Sequence, residues 1–199
     1  MLEPVNTVLK GVRKLALLKG DTVLVAGQGP IGLMFTRLLA LEGIRVIATD
    51  LFESRLNLAR GFGAWKTFRG DGKRLEAKIH SAAGGQGVDA AIIAVPVNAV
   101  VSQARRCLRG GGQVLLFAHT KRGDMLETDA ASVCVDEISL LGSYSSDLTL
   151  QAEAAKAVFS RKLDVRKLVT HRFELVKVAA AVEMAASPSP DSLKIVVYS

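Results

Sequence analysis

Short, nearly continuous apolar runs alternate along this chain with longer stretches in which apolar residues return at helical spacing. Residues 4–18 place Val5, Val8, Leu9, Val12 and Leu15 or Ala16 on one side, which predicts a helix ended by Lys19-Gly20-Asp21. An apolar strand at 23–26 follows, then a largely apolar helix at 31–41 closed by Glu42-Gly43. Residues 44–50 predict a second strand, 52–60 a helix broken by Gly61-Phe62-Gly63, 64–68 a short third strand and 73–83 another helix. Beyond the Gly84-Gly85-Gln86-Gly87 turn, residues 88–95 are almost unbroken in apolar character, as expected of a strand covered on both faces. A helix at 97–108 ends in Arg109-Gly110-Gly111-Gly112; a buried strand at 113–118, a sixth strand at 138–141 and a helix at 148–161 follow. Alternation of this kind predicts an α/β architecture, a doubly wound, mainly parallel six-stranded sheet. The end departs from it. A strand at 169–173, an alanine-rich helix at 174–186 with Leu175, Val178, Val182 and Ala185 on one face, a Ser187-Pro188-Ser189-Pro190 turn and a strand at 193–198 predict a small C-terminal appendage with a buried face of its own.

The most specific chemistry sits where the first strand meets its helix. Residues 22–32 read Thr-Val-Leu-Val-Ala-Gly-Gln-Gly-Pro-Ile-Gly, so a strand runs into Gly27-x-Gly29-x-x-Gly32 and a helix begins at once. In that context the glycines form the turn that lays a dinucleotide pyrophosphate on a helix N-terminus, a Rossmann-type arrangement. Gly27 permits the tight turn, Gly29 lets backbone approach phosphate, and Gly32 lets helix pack on strand. Asp50 closes the second strand at the distance where a carboxylate can accept hydrogen bonds from the adenosine ribose hydroxyls and repel a 2′-phosphate, which favours NAD over NADP. Its plainer role would be to cap the helix that follows. Arg55, one turn into that helix, either flanks the adenosine or is a solvated charge.

Composition bounds the rest. The 199 residues are 49% hydrophobic and carry a net charge of +7, enough chain for one full-sized domain with a large core. Lys and Arg are scattered, with only short pairs such as Arg105-Arg106 and Lys121-Arg122 and no interleaved aromatics, so no nucleic-acid partner is expected. No apolar run approaches a membrane span, and residues 1–4 lack a secretory pattern, so neither membrane nor secretion is expected. Cys107 and Cys134 stand apart without metal or disulfide spacing, and a reducing, cytoplasmic location is the default. Trp65 and Tyr144 could stack on a cofactor, Trp65 more readily being a packing residue, and His171 reads as structural.

The ordered set Glu3-Pro4, Lys19-Gly20-Asp21-Thr22-Val23-Leu24-Val25, Gly27-Gln28-Gly29-Pro30-Ile31-Gly32, Asp50 with Arg55-Leu56 and Ala59, Gly110-Gly111-Gly112, Leu168-Val169-Thr170-His171-Arg172-Phe173 and Lys194-Ile195-Val196-Val197 resembles the nucleotide-binding half of the medium-chain, zinc-dependent alcohol dehydrogenases, in the branch of sorbitol, other polyol and threonine dehydrogenases. The resemblance implies an interdomain helix at 1–18, an NAD-binding domain at 19–165 and a segment at 166–199 that returns to a catalytic half. It implies that Gly27, Gly29, Pro30, Ile31 and Gly32 hold the pyrophosphate and that Asp50 and Arg55 hold the adenosine ribose. It also implies that Val95-Pro96, Phe117-Ala118-His119 and Ser143-Tyr144-Ser145 line the nicotinamide. Glu3 matches a glutamate near the catalytic zinc of the polyol branch, a catalytic assignment whose plainer reading is a helix N-terminal charge. The match departs where Ser145 stands for an arginine, Ala118 for a glycine, and where His119 adds an unusual side chain.

The family's zinc cysteine, Gly-His-Glu segment and four-cysteine lobe have no counterpart here, and the three histidines, His80, His119 and His171, are dispersed. Catalytic zinc needs about three protein ligands and an open position, so no metal site is expected within the chain. The expectation is the NAD-binding part of a dehydrogenase, inactive alone: a fragment, a truncated expression product or one half of a split enzyme. In the intact enzyme, by the same resemblance, zinc polarises an alcohol oxygen and a hydride passes from a secondary alcohol to NAD. The partners expected are that alcohol, the missing N-terminal catalytic domain and a second copy in a homodimer paired through residues 138–141. The apolar face of 174–186, without its cover, is expected to self-associate, exchange strands or move. A zinc-free, quinone-reductase-like half, a stand-alone NAD-binding module and a purely structural role are the alternatives.

Overall fold

The structure, a computed structural model, describes residues 1–118, 122–187 and 189–199. Eight strands and eight α-helices are present among them: α1 (Leu2–Lys14), β1 (Thr22–Ala26), α2 (Pro30–Leu41), β2 (Arg45–Asp50), α3 (Glu53–Phe62), β3 (Lys66–Arg69), α4 (Leu75–Ala82), β4 (Val88–Ile93), α5 (Asn98–Arg106), β5 (Leu108–Leu116), α6 (Ala130–Cys134), β6 (Ser139–Gly142), α7 (Gln151–Phe159), β7 (Val169–Glu174), α8 (Val178–Ala186) and β8 (Lys194–Tyr198).

Strands β1 to β6 form one sheet in the order β3-β2-β1-β4-β5-β6, parallel at every pairing. The chain winds outward from β1 to one edge, then returns to β4 and winds to the other. That reversal leaves a crevice between the carboxyl ends of β1 and β4. Two apolar layers cover the faces, as a parallel sheet requires. Helices α1, α2 and α7 bury Val5, Leu9, Phe35, Leu39 and Ala154 on one side, and α4 and α5 bury Leu75, Ile79, Val101 and Ala104 on the other.

The predicted face of α1 is the buried one, with Val5, Val8, Leu9 and Val12 at 3% exposure or less. The helix ends at Lys14 rather than near residue 18, because Leu15 turns to an extended conformation. Strand β5 begins at Leu108, five residues before the expected start at Gln113. Gly110 to Gly112 were expected to end a helix. Instead a register shift against β4 between Val88 and Ala90 carries them as an irregular strand entry. Residues 148–150 and 175–177 are 3-10 turns that shorten the two helices expected there, and α6 was not anticipated from its short pattern.

The C-terminal unit is a separate parallel pair, β7 with β8, backed by α8. The expected buried face is absent. Within α8 only Ala181 is buried, whereas Val178 is 44% and Val182 62% exposed, as is Leu175 at 59% in the preceding turn. A two-stranded ribbon with one short helix has too little surface to enclose those side chains.

Candidate dinucleotide-binding site

The six parallel strands deliver their following loops to one edge of the sheet, nearly level with each other. Ala26 pairs with Thr49 and Ile93, Ile93 with Leu116, and Leu116 with Gly142. Each loop is tied to its neighbour strand by backbone: Gly27 N–H donates to Thr49 O at 2.8 Å, Ala94 to Ala26 O at 2.9 Å, Ala118 to Ile93 O at 3.0 Å and Ser143 to Leu116 O at 3.3 Å. The described residues among those expected to meet pyrophosphate, adenosine and nicotinamide thus lie in loops along one edge, with the glycine turn at the topological switch.

The glycine turn divides its work as the spacing implies. Gly27 sits at φ +92°, and a Cβ there would lie 2.5 Å from Val95 Cγ1. At Gly32 a Cβ would lie 1.8 Å from the Gly27 carbonyl oxygen, so only glycine lets α2 start this close. A Cβ on Gly29 would meet nothing within 4 Å. Its neighbourhood is open, at the unblocked N-terminus of α2, where Pro30 starts the helix and no side chain caps it. An open approach beside an uncapped helix start is the geometry a phosphate needs. Ile31, the next residue, is half-buried against the core.

Asp50 is 8% exposed and accepts two backbone N–H bonds, Oδ2 from Gln28 at 2.6 Å and Oδ1 from Phe52 at 2.9 Å. It therefore ties the glycine turn to the chain entering α3, without capping that helix, whose N-cap Phe52 has no side-chain cap. Above it lies a cavity of about 250 Å³, lined by Gly27, Asp50, Phe52, Arg55, Val95 and Val100 among others. Two larger hollows, of about 590 and 700 Å³, are lined by other residues and include none of the glycine turn. Arg55 is half-buried with its guanidinium 5.0 Å from the Phe52 ring, so it is not the solvated helix charge that was one expectation.

Two residues that the motif did not single out hold the turn from below. Gln28 is fully buried; its Nε2 donates to Val25 O at 3.0 Å, and its Oε1 accepts from Thr36 Oγ1 at 2.9 Å. A polar residue inside the glycine motif, eight positions before a threonine on the buried side of a largely apolar helix, was the available signal.

At the other end of the edge the residues spread. Val95 lines the cavity and Pro96 is exposed. The Phe117 ring, expected to line the nicotinamide, is instead buried edge-to-face on Phe35 with centroids 4.8 Å apart. His119 lies outside the described residues. Ser143 is buried, its hydroxyl without a partner among the described residues; Tyr144 is 71% exposed; Ser145 adopts φ +62°. Helix α1 ties this loop down through Lys14 to Gly142 O, Lys10 to Tyr144 O and Asn6 to Asp147. Glu3, one turn before Asn6, is exposed and accepts from Thr7 Oγ1 at 2.8 Å. Among the described residues no group of three or more His, Cys, Asp or Glu could hold a metal ion, and no helix is long and apolar enough to cross a membrane.

Comparison with known proteins agrees with this geometry. Residues 30–164 match the zinc-binding dehydrogenase family model. The chain is 30% identical to L-arabinitol 4-dehydrogenase of Hypocrea jecorina, over 100% of its length and 54% of the relative's. It is 30% identical to erythritol/L-threitol dehydrogenase of Mycolicibacterium smegmatis, over 97% of its length and 53% of the relative's. It spans about half the length of the curated relatives it matches. A Sinorhizobium meliloti protein described as a zinc-binding dehydrogenase bound to NADP superposes with a TM-score of 0.90 at 26% identity, covering 100% of this chain and 58% of that one. The glycine turn, the buried carboxylate and the family match over most of the chain lead to one conclusion: this chain belongs to the zinc-binding dehydrogenase family.

Proposed function

We propose that the chain is the NAD-binding half of a zinc-dependent alcohol or polyol dehydrogenase. The observation that carries this is the buried Asp50 carboxylate beside the open Gly29 approach and the cavity above them. The backbone of Gly27, Gly29, Pro30, Ile31 and Gly32 receives the pyrophosphate. Asp50, held in place by Gln28 and Phe52 N–H groups, presents its remaining lone pairs to ribose hydroxyls. A buried anion there disfavours a 2′-phosphate, so NAD is the cofactor rather than the NADP of the Sinorhizobium meliloti structure. When bound, NAD supplies a hydride acceptor at C4 of its nicotinamide.

The loops at Val95-Pro96, Phe117-Ala118-His119 and Ser143-Tyr144-Ser145 orient that ring, and α1, through its ties to the last of them, fixes the loop's position. Glu3, exposed at the start of α1, is the residue of this chain assigned to the catalytic side by its resemblance to the polyol branch. The chain spans about half the length of its curated relatives, and on this reading the metal and most substrate contacts belong to a catalytic domain outside it, so that the chain alone is inactive. The substrate is a secondary alcohol of a polyol, sugar derivative or amino alcohol. The setting is cytoplasmic, consistent with two free thiols, and the assembly is a homodimer paired along the β6 edge.

Calorimetric titration with NAD(H) and NADP(H), on wild type and Asp50→Ala, tests the reading. NAD(H) binding that weakens at least tenfold in the variant supports it. Preference for NADP(H), or no binding of either, overturns it.

A further inference from the structure

Arg55 belongs to two parts of the molecule at once. Its side chain lines the cavity above Asp50. One amino group of its guanidinium also donates to the carbonyl oxygens of Ser189, at 3.3 Å, and Ser192, at 3.1 Å, in the turn joining α8 to β8. That turn is ordered from within. Ser192 N and Oγ both donate to Ser189 O, at 3.1 and 3.0 Å, and Ser189 Oγ donates to the Asp191 carboxylate at 2.7 Å. Ser54, beside Arg55 on α3, donates its hydroxyl to Pro190 O at 3.0 Å. Ser192 is only 2% exposed. The Nε of Arg55, by contrast, is buried without a hydrogen-bond partner among the described residues. A buried donor without an acceptor is costly, so the guanidinium gains from any small shift that brings Nε to an acceptor oxygen, and a ligand in the cavity it lines can supply one.

We propose that Arg55 is a latch between the nucleotide cavity and the C-terminal unit β7–α8–β8. It grips the 189–192 turn with one amino group and keeps other donors for a ligand in the cavity. The proposal rests on the reading of that cavity as the adenosine end of a dinucleotide site. A guanidinium has five donors in a rigid plane, so the two tasks do not compete. A ligand that orders the plane also orders the turn it grips, so the coupling is positive, and by linkage it is reciprocal. The same unit carries the exposed apolar side chains Leu175, Val176, Val178 and Val182. Occupancy of the cavity is thereby transmitted to the surface on which a partner domain would sit.

Hydrogen–deuterium exchange of the 199-residue chain tests this, on wild type and Arg55→Met, with and without NADH. Methionine keeps the aliphatic stem and removes every donor. Without nucleotide, exchange across 189–198 rises about tenfold in the variant, the size expected for losing a hydrogen bond to a charged donor. Saturating NADH slows that exchange in wild type and leaves it unchanged in Arg55→Met. Ser54→Ala alters only the turn, and reciprocity predicts a roughly twofold loss of NADH affinity. Three outcomes overturn the latch: a turn equally protected in Arg55→Met and wild type, calorimetrically verified NADH binding without protection of 189–198, or unaltered affinity in Ser54→Ala. No NADH binding to wild type, with the turn still released in Arg55→Met, defeats the nucleotide reading instead and reduces Arg55 to a structural tie.

Discussion

Three glycines that look equivalent in the motif have different reasons to be glycine. A methyl group on Gly32 would overlap the Gly27 carbonyl oxygen, whereas one on Gly29 would stand in open space at an ordinary φ of −68°. Gly32→Ala is therefore expected to destabilise the chain by more than about 3 kcal/mol or prevent folding. Gly29→Ala should melt within a few degrees of wild type yet lose NAD(H) affinity, a contrast that thermal melts and calorimetry resolve. A Gly29→Ala variant that binds NADH normally would remove the phosphate role. The two cysteines also separate by environment. Burial pushes the Cys107 thiol up to about 11, while Cys134 is exposed. Titration with a thiol reagent at neutral pH should modify Cys134 promptly and Cys107 only on unfolding; two fast thiols would contradict the fold around α5.

The strands are held to each other at their amino ends by a charged group as well as by backbone. Asp89 on β4 accepts from Thr22 N on β1 at 2.7 Å and from Arg109 Nε on β5 at 2.6 Å. Burial alone raises this carboxyl, but the Thr22 N–H and the Arg109 guanidinium outweigh it and hold the group below the usual carboxylate range. A depressed folded-state pKa stabilises the fold above the unfolded value, near ~3.9, and that contribution fades as pH falls through the folded value. Asp89→Asn should thus cost roughly 1–2 kcal/mol at pH 7 and progressively less in acid. Urea melts at pH 7 and pH 3 check it, and an equal cost at both would show that the charge is not what matters. Most elements were legible because each has a full apolar face. The exceptions have physical causes. Entry to β5 depends on a bulge against β4, and α6 has only five residues and no buried side chain.

At the scale of the molecule, the sheet is closed over by helices, but the C-terminal unit leaves Leu175, Val176, Val178 and Val182 to solvent, and Leu140 on the β6 edge is 37% exposed. Contiguous exposed apolar surface drives association. The chain is expected to run above its monomer mass in size-exclusion chromatography at high concentration. Val178→Glu with Val182→Lys should abolish association through α8 while leaving pairing through β6. A wild-type monomer at every concentration would remove both.

The sequence by itself determined the doubly wound sheet, the glycine turn and the place of Asp50 at the end of β2, because strand and helix periods and the turn's steric demands are local properties. Gln28 with Thr36, the grip of Arg55 on the 189–192 turn, and the burial of Phe117 against Phe35 were decided only by tertiary structure. Each of these joins residues that the pattern keeps on separate elements. The exposure of the α8 face was settled there too. An apolar stripe in sequence states that a surface seeks cover; the sequence allowed both a face buried within the appendage and one left without cover, and the packed chain shows the second.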